Sequence, residues 1–139
     1  MKRHHCIIKT RWDDLDAFGH VNNAAYLTYV QEARSDFTWY ARKVKNEDPI
    51  LLYMVVARAE VDFLLPIYEG HTDLDVSIWV GRIGNSSFTL KYEIASQGIV
   101  FARAETVQVA VDQKTQKSRS LNEEERAFLL EYQDESEQE

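Results

Sequence analysis

The chain has 139 residues, of which 45% are hydrophobic and 28% are charged, with only 5 Gly and 2 Pro. This is the length of one domain and the composition of a globular protein, so a multidomain, fibrous or disordered protein is excluded. The formal net charge of -7 arises in residues 122–139, which hold eight acidic side chains and one basic side chain. Residues 1–121 hold 15 of each kind and are neutral, which argues against nucleic-acid binding.

The first residues of the chain indicate a reducing cellular compartment and argue against a metal site. The single cysteine, Cys6, cannot form a disulfide within the chain, which is typical of a reducing compartment. No apolar run reaches signal-peptide length or the ~20 residues of a membrane span, so we expect a cytoplasmic protein with no membrane span. His4, His5 and Cys6 are consecutive in a predicted strand and alternate between its faces. They do not readily converge on one ion, and we predict no metal and no cofactor.

Hydrophobic periodicity predicts one long helix after a first strand. The strand is predicted from His5 to Trp12, and an amphipathic helix follows from Asn23 to Lys45, with Asn22 and Asn23 at the N-cap. Trp39 lies off the apolar stripe, where a partner subunit would cover it. The stripe consists of Tyr26, Tyr29, Val30, Ala33, Phe37, Tyr40, Ala41 and Val44.

After Pro49 the pattern changes from helical spacing to alternation. The predicted strands run from Val55 to Phe63, from Thr72 to Val80, from Ser86 to Ser96 and from Ile99 to Val111, with a turn over Gly81 to Asn85. This order predicts an α+β fold in which an antiparallel five-stranded sheet wraps around one long central helix. We expect residues 1–121 to form this domain. Residues 122–139 are expected to add a short acidic helix near Asn122 to Tyr132 and a solvated, fraying tail.

The segment between the first strand and the helix combines carboxylates with a helix N-terminus. Asp13, Asp14 and Asp16 precede Gly19 and the start of the helix. The free N–H groups and the dipole of a helix N-terminus can hold a carbonyl oxygen that becomes negative in a transition state. A nearby carboxylate can attack that carbonyl or direct water to it. The segment therefore suits acyl chemistry.

A long motif runs through this segment and into the helix. It reads Asp16-x-x-Gly19-His20-Val21-Asn22-Asn23-x-x-Tyr26-Leu27-x-Tyr29-x-x-Glu32-x-Arg34. Further matches are Phe63-x-x-Pro66, Gly70, the alternating strand from Leu74, the Gly84-Asn85-Ser86-Ser87 turn and Val109 to Asp112. The pattern resembles hotdog-fold acyl-CoA thioesterases of the 4-hydroxybenzoyl-CoA thioesterase type, over roughly residues 5–121.

The resemblance implies a hotdog fold and hydrolysis of an acyl-CoA substrate to a free acid and CoA. It implies that Asp16 is the catalytic carboxylate, either as nucleophile or as general base, and that the backbone N–H of Asn23 binds the thioester oxygen. It also implies a homodimer with a continuous sheet or a homotetramer built as a dimer of dimers. Many relatives have Pro after the catalytic Asp, whereas Ala17 and Phe18 follow here, and we expect Phe18 to narrow the entrance.

The other motif residues have both functional and structural interpretations. Gly19, Val21 and Asn22 are candidate substrate contacts, and His20 either contacts the substrate or forms a structural hydrogen bond. The turn formed by Gly84, Asn85, Ser86 and Ser87 could contact pantetheine or phosphate groups, or be an ordinary turn. The residues interpreted as structural are Asp13 and Asp14 as loop acids, Tyr26 and Tyr29 as packing residues, and Glu32 as a salt-bridge or subunit-contact residue. Arg34 matches the family pattern.

Two other functions are compatible with this pattern. A hotdog enoyl-CoA hydratase or dehydratase would use a histidine with a carboxylate, for which His20 is the candidate. A non-catalytic hotdog module would bind acyl-CoA or a protein partner without turnover. Because His20 lies inside the thioesterase-like motif, thioester hydrolysis is the function that the sequence predicts.

Overall fold

The structure is a computed structural model that describes residues 2–137. The elements in chain order are β1 (His4–Lys9), a 3-10 turn (Trp12–Asp14), α1 (Asn23–Ser35), a π-helical turn (Asp36–Tyr40), α2 (Ala41–Val44), β2 (Met54–Phe63), β3 (Asp73–Ile83), β4 (Ser87–Ser96), β5 (Ile99–Ala110), α3 (Glu123–Glu131) and a second 3-10 turn (Glu135–Glu137). The strands form one sheet in the order β1-β3-β4-β5-β2, and every neighbouring pair is antiparallel. The predicted α+β hotdog architecture is confirmed.

The core lies between the helix and one face of the sheet. Alternation along β3 and β4 directs two rows of apolar side chains to this face, and each of them is at most 2% exposed: Leu74, Val76, Ile78, Val80, Phe88, Leu90, Tyr92 and Ile94. The helix contributes Tyr26, Tyr29, Val30 and Ala33 to the same cluster. Each large apolar side chain buried in this way stabilises the fold by about 1.5–3 kcal/mol.

The predicted long helix is continuous but not regular. At the π-helical turn, the N–H of Ala41 donates to the carbonyl of Asp36, five residues earlier. One extra residue is accommodated in this turn, so the residues after it are rotated away from the earlier apolar stripe. Phe37 is 2% exposed, whereas Tyr40 and Val44 are 59% and 88% exposed. The assignment of Tyr40 and Val44 to the buried stripe was wrong for this reason.

Two strand ends, those of β1 and β3, also lie three residues from the predicted positions. β1 ends at Lys9. Backbone hydrogen bonding continues to the buried Thr10, whose N–H donates to the Thr72 carbonyl (2.9 Å), and the 3-10 turn at Trp12–Asp14 then takes the place of the predicted end of the strand. At the other end, β3 continues to Ile83, and its pairing with β4 shifts register between Val80 and Ile83. The irregularity interrupts the alternation, so the sequence pattern resembles a turn where the strand continues.

The C-terminal segment packs on the rest of the chain. α3 lies within the range predicted for a short helix, and Phe128 and Tyr132 on this segment are both 8% exposed. Their rings lie 4.9 and 4.8 Å from the Phe37 ring. The Tyr132 carbonyl accepts a hydrogen bond from the N–H of Val80 (2.8 Å). The predicted short helix is therefore packed on the core by these rings, and residues 138–139 of the predicted tail lie outside the described residues.

Gly70 lies where two backbone segments approach closely, which leads to a stability prediction. A Cβ at Gly70 would lie 3.0 Å from the backbone nitrogen of Trp12 and 3.1 Å from its Cα. Because backbone atoms cannot swing aside, Gly70→Ala should lower the free energy of unfolding by about 1–3 kcal/mol in urea titrations. Gly81→Ala is a matched control, since its Cβ would come closest to the movable end of the Lys91 side chain (3.1 Å) and would meet the Thr89 side chain at an ordinary contact distance (3.6 Å). An equal loss in both variants would contradict the steric argument.

Candidate active site

Asp14 fixes the loop between β1 and α1. Its carboxylate is buried, and Oδ2 accepts hydrogen bonds from the Tyr29 hydroxyl (2.6 Å) and the Arg11 backbone N–H (2.9 Å). Oδ1 accepts from the Arg11 guanidinium (2.9 Å), and the Asp14 carbonyl accepts from the N–H of Asn22 (2.8 Å). The start of the loop, its end and α1 are thereby joined at one residue.

The same hydrogen bonds set the ionisation of the pair. Burial alone would raise the pKa of Asp14, but hydrogen bonds from Tyr29 and Arg11 outweigh it and hold the pKa below its usual value of 3.8. Burial, together with the hydrogen bond to Asp14, raises the pKa of Tyr29 far above its usual value. Tyr29 therefore stays protonated and donates, while Asp14 stays ionised and accepts.

Residues 16–20 form a tight turn that orients Asp16. The N–H of Asp16 donates to the His20 carbonyl (3.0 Å), and the N–H of Gly19 donates to the Asp16 carbonyl (3.0 Å). Gly19 has a φ of +81°, a conformation that glycine adopts without steric cost. The half-buried Asp16 side chain accepts a hydrogen bond from the Phe18 N–H at Oδ1 (2.9 Å). This Asx turn restricts the orientation of the carboxylate.

Asn22 begins α1 as its N-cap, as the sequence predicted. Its side-chain oxygen accepts from the N–H of Ala24 (2.8 Å), and its carbonyl accepts from the N–H of Ala25 (2.9 Å). Asn23 is the first residue of the helix rather than a cap. Its N–H belongs to the donors that a helix leaves without an internal acceptor, and it lies at the positive end of the helix dipole.

A cavity of about 150 Å³ opens beside this end of the helix. Tyr26 and Phe63 meet edge to face in its wall, with ring centroids 5.0 Å apart. The residues that line it are His20, Val21, Asn23, Tyr26, Phe63, Leu64, Leu65 and Pro66. The start of the helix therefore borders a mainly apolar space with one histidine.

His20 forms a structural hydrogen bond and also borders the cavity, while its contact with a substrate stays a prediction. It lines the cavity and lies between the rings of Phe18 and Tyr68, with centroids 6.3 and 6.5 Å away. Its Nδ1 lies 3.3 Å from the Val21 carbonyl, a contact that requires the proton on Nδ1. In the neutral ring, Nε2 is then an acceptor.

The predicted site residues fall into two separate places in this chain. His20, Val21 and Asn23 line one cavity, and Asp16 is the backbone partner of His20. Asp16 is not among the lining residues. The turn over residues 84–87 lies at the connection from β3 to β4, where the carbonyls of Gly84 and Asn85 accept from Arg126 (2.9 Å each).

The two charged motif residues on α1 have different environments. Glu32 is exposed to solvent, whereas Arg34 is half-buried and its guanidinium lies 3.4 Å from the Tyr92 hydroxyl. Glu32 forms no salt bridge within residues 2–137, so an intrachain salt bridge was the wrong interpretation of this residue. The subunit-contact interpretation stays a prediction.

The described part of the chain holds no metal-ligand cluster and no membrane-spanning helix. Between residues 2 and 137, His, Cys, Asp and Glu side chains form no cluster of three that could hold a metal ion. Over the same residues, each helix is too short or too polar to cross a bilayer. Burial raises the pKa of the Cys6 thiol to about 11, so this cysteine is held in its protonated form.

Comparison with known proteins places this architecture in a family. The sequence model of the thioesterase-like superfamily matches residues 10–129. A 1,4-dihydroxy-2-naphthoyl-CoA hydrolase from Nostoc punctiforme is 30% identical over an alignment of 118 residues that covers 82% of this chain and 78% of that protein. A predicted thioesterase from Bacillus stearothermophilus has a similar structure, with a TM-score of 0.80, 27% identity and coverage of 94% of this chain and 96% of that chain. A Thermus thermophilus thioesterase complexed with coenzyme A and Zn gives a TM-score of 0.76 at 26% identity, with 92% of each chain covered.

The sheet order and the central helix define a hotdog-fold protein. The chain belongs to the thioesterase-like superfamily, because the family match covers most of its length. The family resemblance carried by the motif from Asp16 to Arg34 is thereby confirmed.

The hydrogen bonds of Asp14 lead to a prediction for stability and its pH dependence. Because the folded-state pKa of Asp14 is lowered, its ionised form stabilises the fold above the unfolded-state pKa, and this contribution is lost as the pH falls through the folded-state pKa. Asp14→Asn should lower the free energy of unfolding by about 1–3 kcal/mol at neutral pH. The difference from wild type should shrink below the usual pKa of 3.8.

Urea unfolding at several pH values measures this effect. Asp13→Asn is the matched control, since Asp13 is an exposed neighbour in the same turn. Equal stability of the two variants at neutral pH would contradict the role of Asp14.

Proposed function

We propose that this protein is an acyl-CoA thioesterase that hydrolyses a thioester to a free acid and CoA. The observation that carries the proposal is the N–H of Asn23, which lies at the start of α1 beside an apolar-walled cavity. When a nucleophile adds to a thioester carbonyl, its oxygen becomes negative, and one well-placed donor stabilises it by ~3 kcal/mol. Membership of the thioesterase-like superfamily supports the reaction class, as does the CoA thioester in the name of the Nostoc punctiforme relative.

In this proposal Asp16 supplies the carboxylate. As a nucleophile, it attacks the carbonyl carbon, the C–S bond breaks to release CoA thiolate, and water hydrolyses the resulting mixed anhydride. As a general base, it takes a proton from water while the water oxygen adds to the carbonyl, and the collapsing intermediate expels the thiolate, which receives the proton. The hydrogen bond from Phe18 to Oδ1 supports a fixed carboxylate. The backbone pairing of Asp16 with His20, which lines the cavity, supports its nearness to the reacting group.

The substrate would extend in two directions from the reacting carbonyl. The apolar wall over residues 63–66 suits an acyl group, and Gly19, His20, Val21 and Asn22 would border the thioester. Since residues 84–87 do not line this cavity in the same chain, we propose that Gly84, Asn85, Ser86 and Ser87 of a second copy contact the pantetheine or phosphate groups of CoA.

Replacing Asp16 tests the mechanism. Asp16→Asn keeps the size of the side chain but removes its charge, and kcat for thiol release from a panel of acyl-CoA esters should fall by at least ~100-fold. Circular dichroism would confirm that the variant is folded. Asp13→Asn is the control and should keep close to wild-type turnover, because Asp13 is an exposed loop acid.

Two results would count against this function. Unchanged thiol release by folded Asp16→Asn would remove Asp16 from the mechanism. Loss of enoyl-CoA absorbance without thiol release by wild-type protein would identify a hydratase instead.

The edge of the sheet supports pairing with a second copy. β2 is an edge strand, and large apolar side chains on it are about half exposed: Val55 at 46%, Val56 at 45% and Phe63 at 48%. An apolar edge strand is a template for pairing with another strand. We propose a homodimer joined along β2, and a dimer of dimers as its further assembly.

A charge on β2 tests this assembly. Val56→Lys should shift the protein toward monomer in sedimentation-velocity experiments, because a lysine on an edge strand opposes strand pairing. Val44→Lys is the control, since Val44 is 88% exposed at the end of the helix. This variant should sediment with the same mass as the wild-type assembly. A wild-type monomer, or a Val56→Lys variant that remains dimeric, would contradict pairing along β2.

A further inference from the structure

The C-terminal helix α3 is attached to the turn that connects β3 to β4. The Arg126 guanidinium on this helix donates through Nη2 to the carbonyls of Gly84 and Asn85, at 2.9 Å each. The Asn85 carbonyl also accepts from the N–H of Leu121 (2.9 Å), which precedes the helix. One side chain of α3 therefore holds two successive peptide groups of the turn.

Helix α3 is itself fixed, so Arg126 is held in a constant position. Asn122 and Glu125 form a capping box, with hydrogen bonds of 2.8 and 2.9 Å in the two directions. Glu125 is 4% exposed, and its carboxylate accepts from both terminal nitrogens of Arg119 (2.9 and 3.1 Å). Leu129 is fully buried in the core. Displacing the helix would break these contacts together.

All four carbonyls of the turn over residues 84–87 already have a donor. The first two are bound from the C-terminal segment. The Ser86 carbonyl accepts from the N–H of Ala110 (2.8 Å), and the Ser87 carbonyl accepts from the N–H of Gly84 (2.7 Å). Within residues 2–137, the N–H groups of Asn85 and Ser86 donate to no backbone acceptor. The turn therefore offers backbone donors to a ligand, while its backbone acceptors are occupied.

The charge of Arg126 favours the same kind of ligand. Arg126 is the one basic residue of residues 122–139, which hold eight acidic side chains. The charge of Glu125, the residue before it, is paired with Arg119. The acidic segment thus places its one positive charge at the turn, and a positive charge strengthens hydrogen bonds to an oxygen that is negative or partly negative.

We propose that Arg126 is a positioning residue that holds this turn as a donor-only contact for an acceptor oxygen of the CoA moiety. Successive backbone N–H groups without partners can bind such an oxygen, and pantetheine carbonyls and phosphates both supply one. Without Arg126, the carbonyls of residues 84 and 85 would be free to rotate outward and repel it. The inference rests on the proposed thioesterase function, in which residues 84–87 of one copy contact the substrate of the other.

Three substrates with the same acyl group separate this contact from a general effect on the fold. Acyl-CoA carries pantetheine and phosphates, acyl-pantetheine lacks the phosphates, and the acyl thioester of ethanethiol lacks both. Arg126→Met should raise KM for acyl-CoA about tenfold and change kcat by less than about twofold, because a contact made equally in the ground state and the transition state affects KM alone. KM for the ethanethiol ester should stay at its wild-type value.

Acyl-pantetheine identifies the oxygen that the turn contacts. A rise in KM for both acyl-CoA and acyl-pantetheine would support the proposal with a pantetheine carbonyl as the acceptor. A rise for acyl-CoA alone would support it with a phosphate as the acceptor.

Arg42→Met is the matched control for loss of an arginine that binds the backbone. Arg42 donates to the Asp48 carbonyl (2.6 Å), but it lies on α2 and not on α3. This variant should keep the wild-type KM for all three substrates. Arg126→Lys keeps a charged donor, and it should restore KM for acyl-CoA to within about threefold of wild type.

Several results would overturn the inference. These are an unchanged KM for acyl-CoA in Arg126→Met, an equal rise for all three substrates, or the same rise in Arg42→Met. If Arg126→Met does not fold, Arg126→Gln replaces it, because glutamine is shorter and uncharged. Arg126→Gln should show the same selective rise in KM, and its absence would likewise overturn the inference.

Failure of the proposed function would give a different result, because wild-type protein would then release no thiol from any acyl-CoA. Calorimetric titration with free CoA tests the inference in that case. Arg126→Met should bind CoA about tenfold more weakly than wild type, whereas an equal Kd would overturn the role of Arg126.

Discussion

The buried carboxylate of Asp14 and the hydrogen bonds that it accepts determine the shape of the loop on which the candidate active site depends. Removing a carboxylate from water is costly, and charge-assisted hydrogen bonds from Tyr29 and Arg11 offset that cost. Since the Asp14 carbonyl also binds the N–H of Asn22, the loop cannot move without losing several of these contacts together. The cap of α1 and the turn that begins at Asp16 are thereby held in a fixed relation. Acyl transfer requires such a relation between an oxyanion donor and a carboxylate.

The fold could be predicted in outline because it follows from periodicity. Alternating apolar residues such as Leu74 and Ile78 must share one face of a strand, and the stripe from Tyr26 to Phe37 must face that sheet. Departures from the regular period could not be predicted in the same way. The π-helical turn and the irregular end of β3 each change the phase of the pattern, and a fixed period then assigns the following residues to the wrong face or the wrong element.

Within the candidate site, local features could be predicted and long-range contacts could not. The Asn22 cap and the turn at Gly19 depend on residues a few positions apart, and their residue types are characteristic. Asp14 was expected to be a loop acid, but its contact with Tyr29 is tertiary. The sequence feature that could have indicated this role is Arg11, three residues before Asp14. The two residues form the reciprocal hydrogen bonds of a capping box.

The π-helical turn has a consequence for comparing this chain with its relatives. A turn that accommodates one extra residue lets helices of different length begin at the same N-terminal motif and still reach the same following strand. An alignment gap near residues 36–40 would then mark a bulge inside a continuous helix, not a break between two elements. In a relative with a regular α-helix, the positions aligned with Tyr40 and Val44 would lie on a different face of the helix. An alignment used to compare which residues are buried or exposed therefore needs a one-residue offset after the π-helical turn.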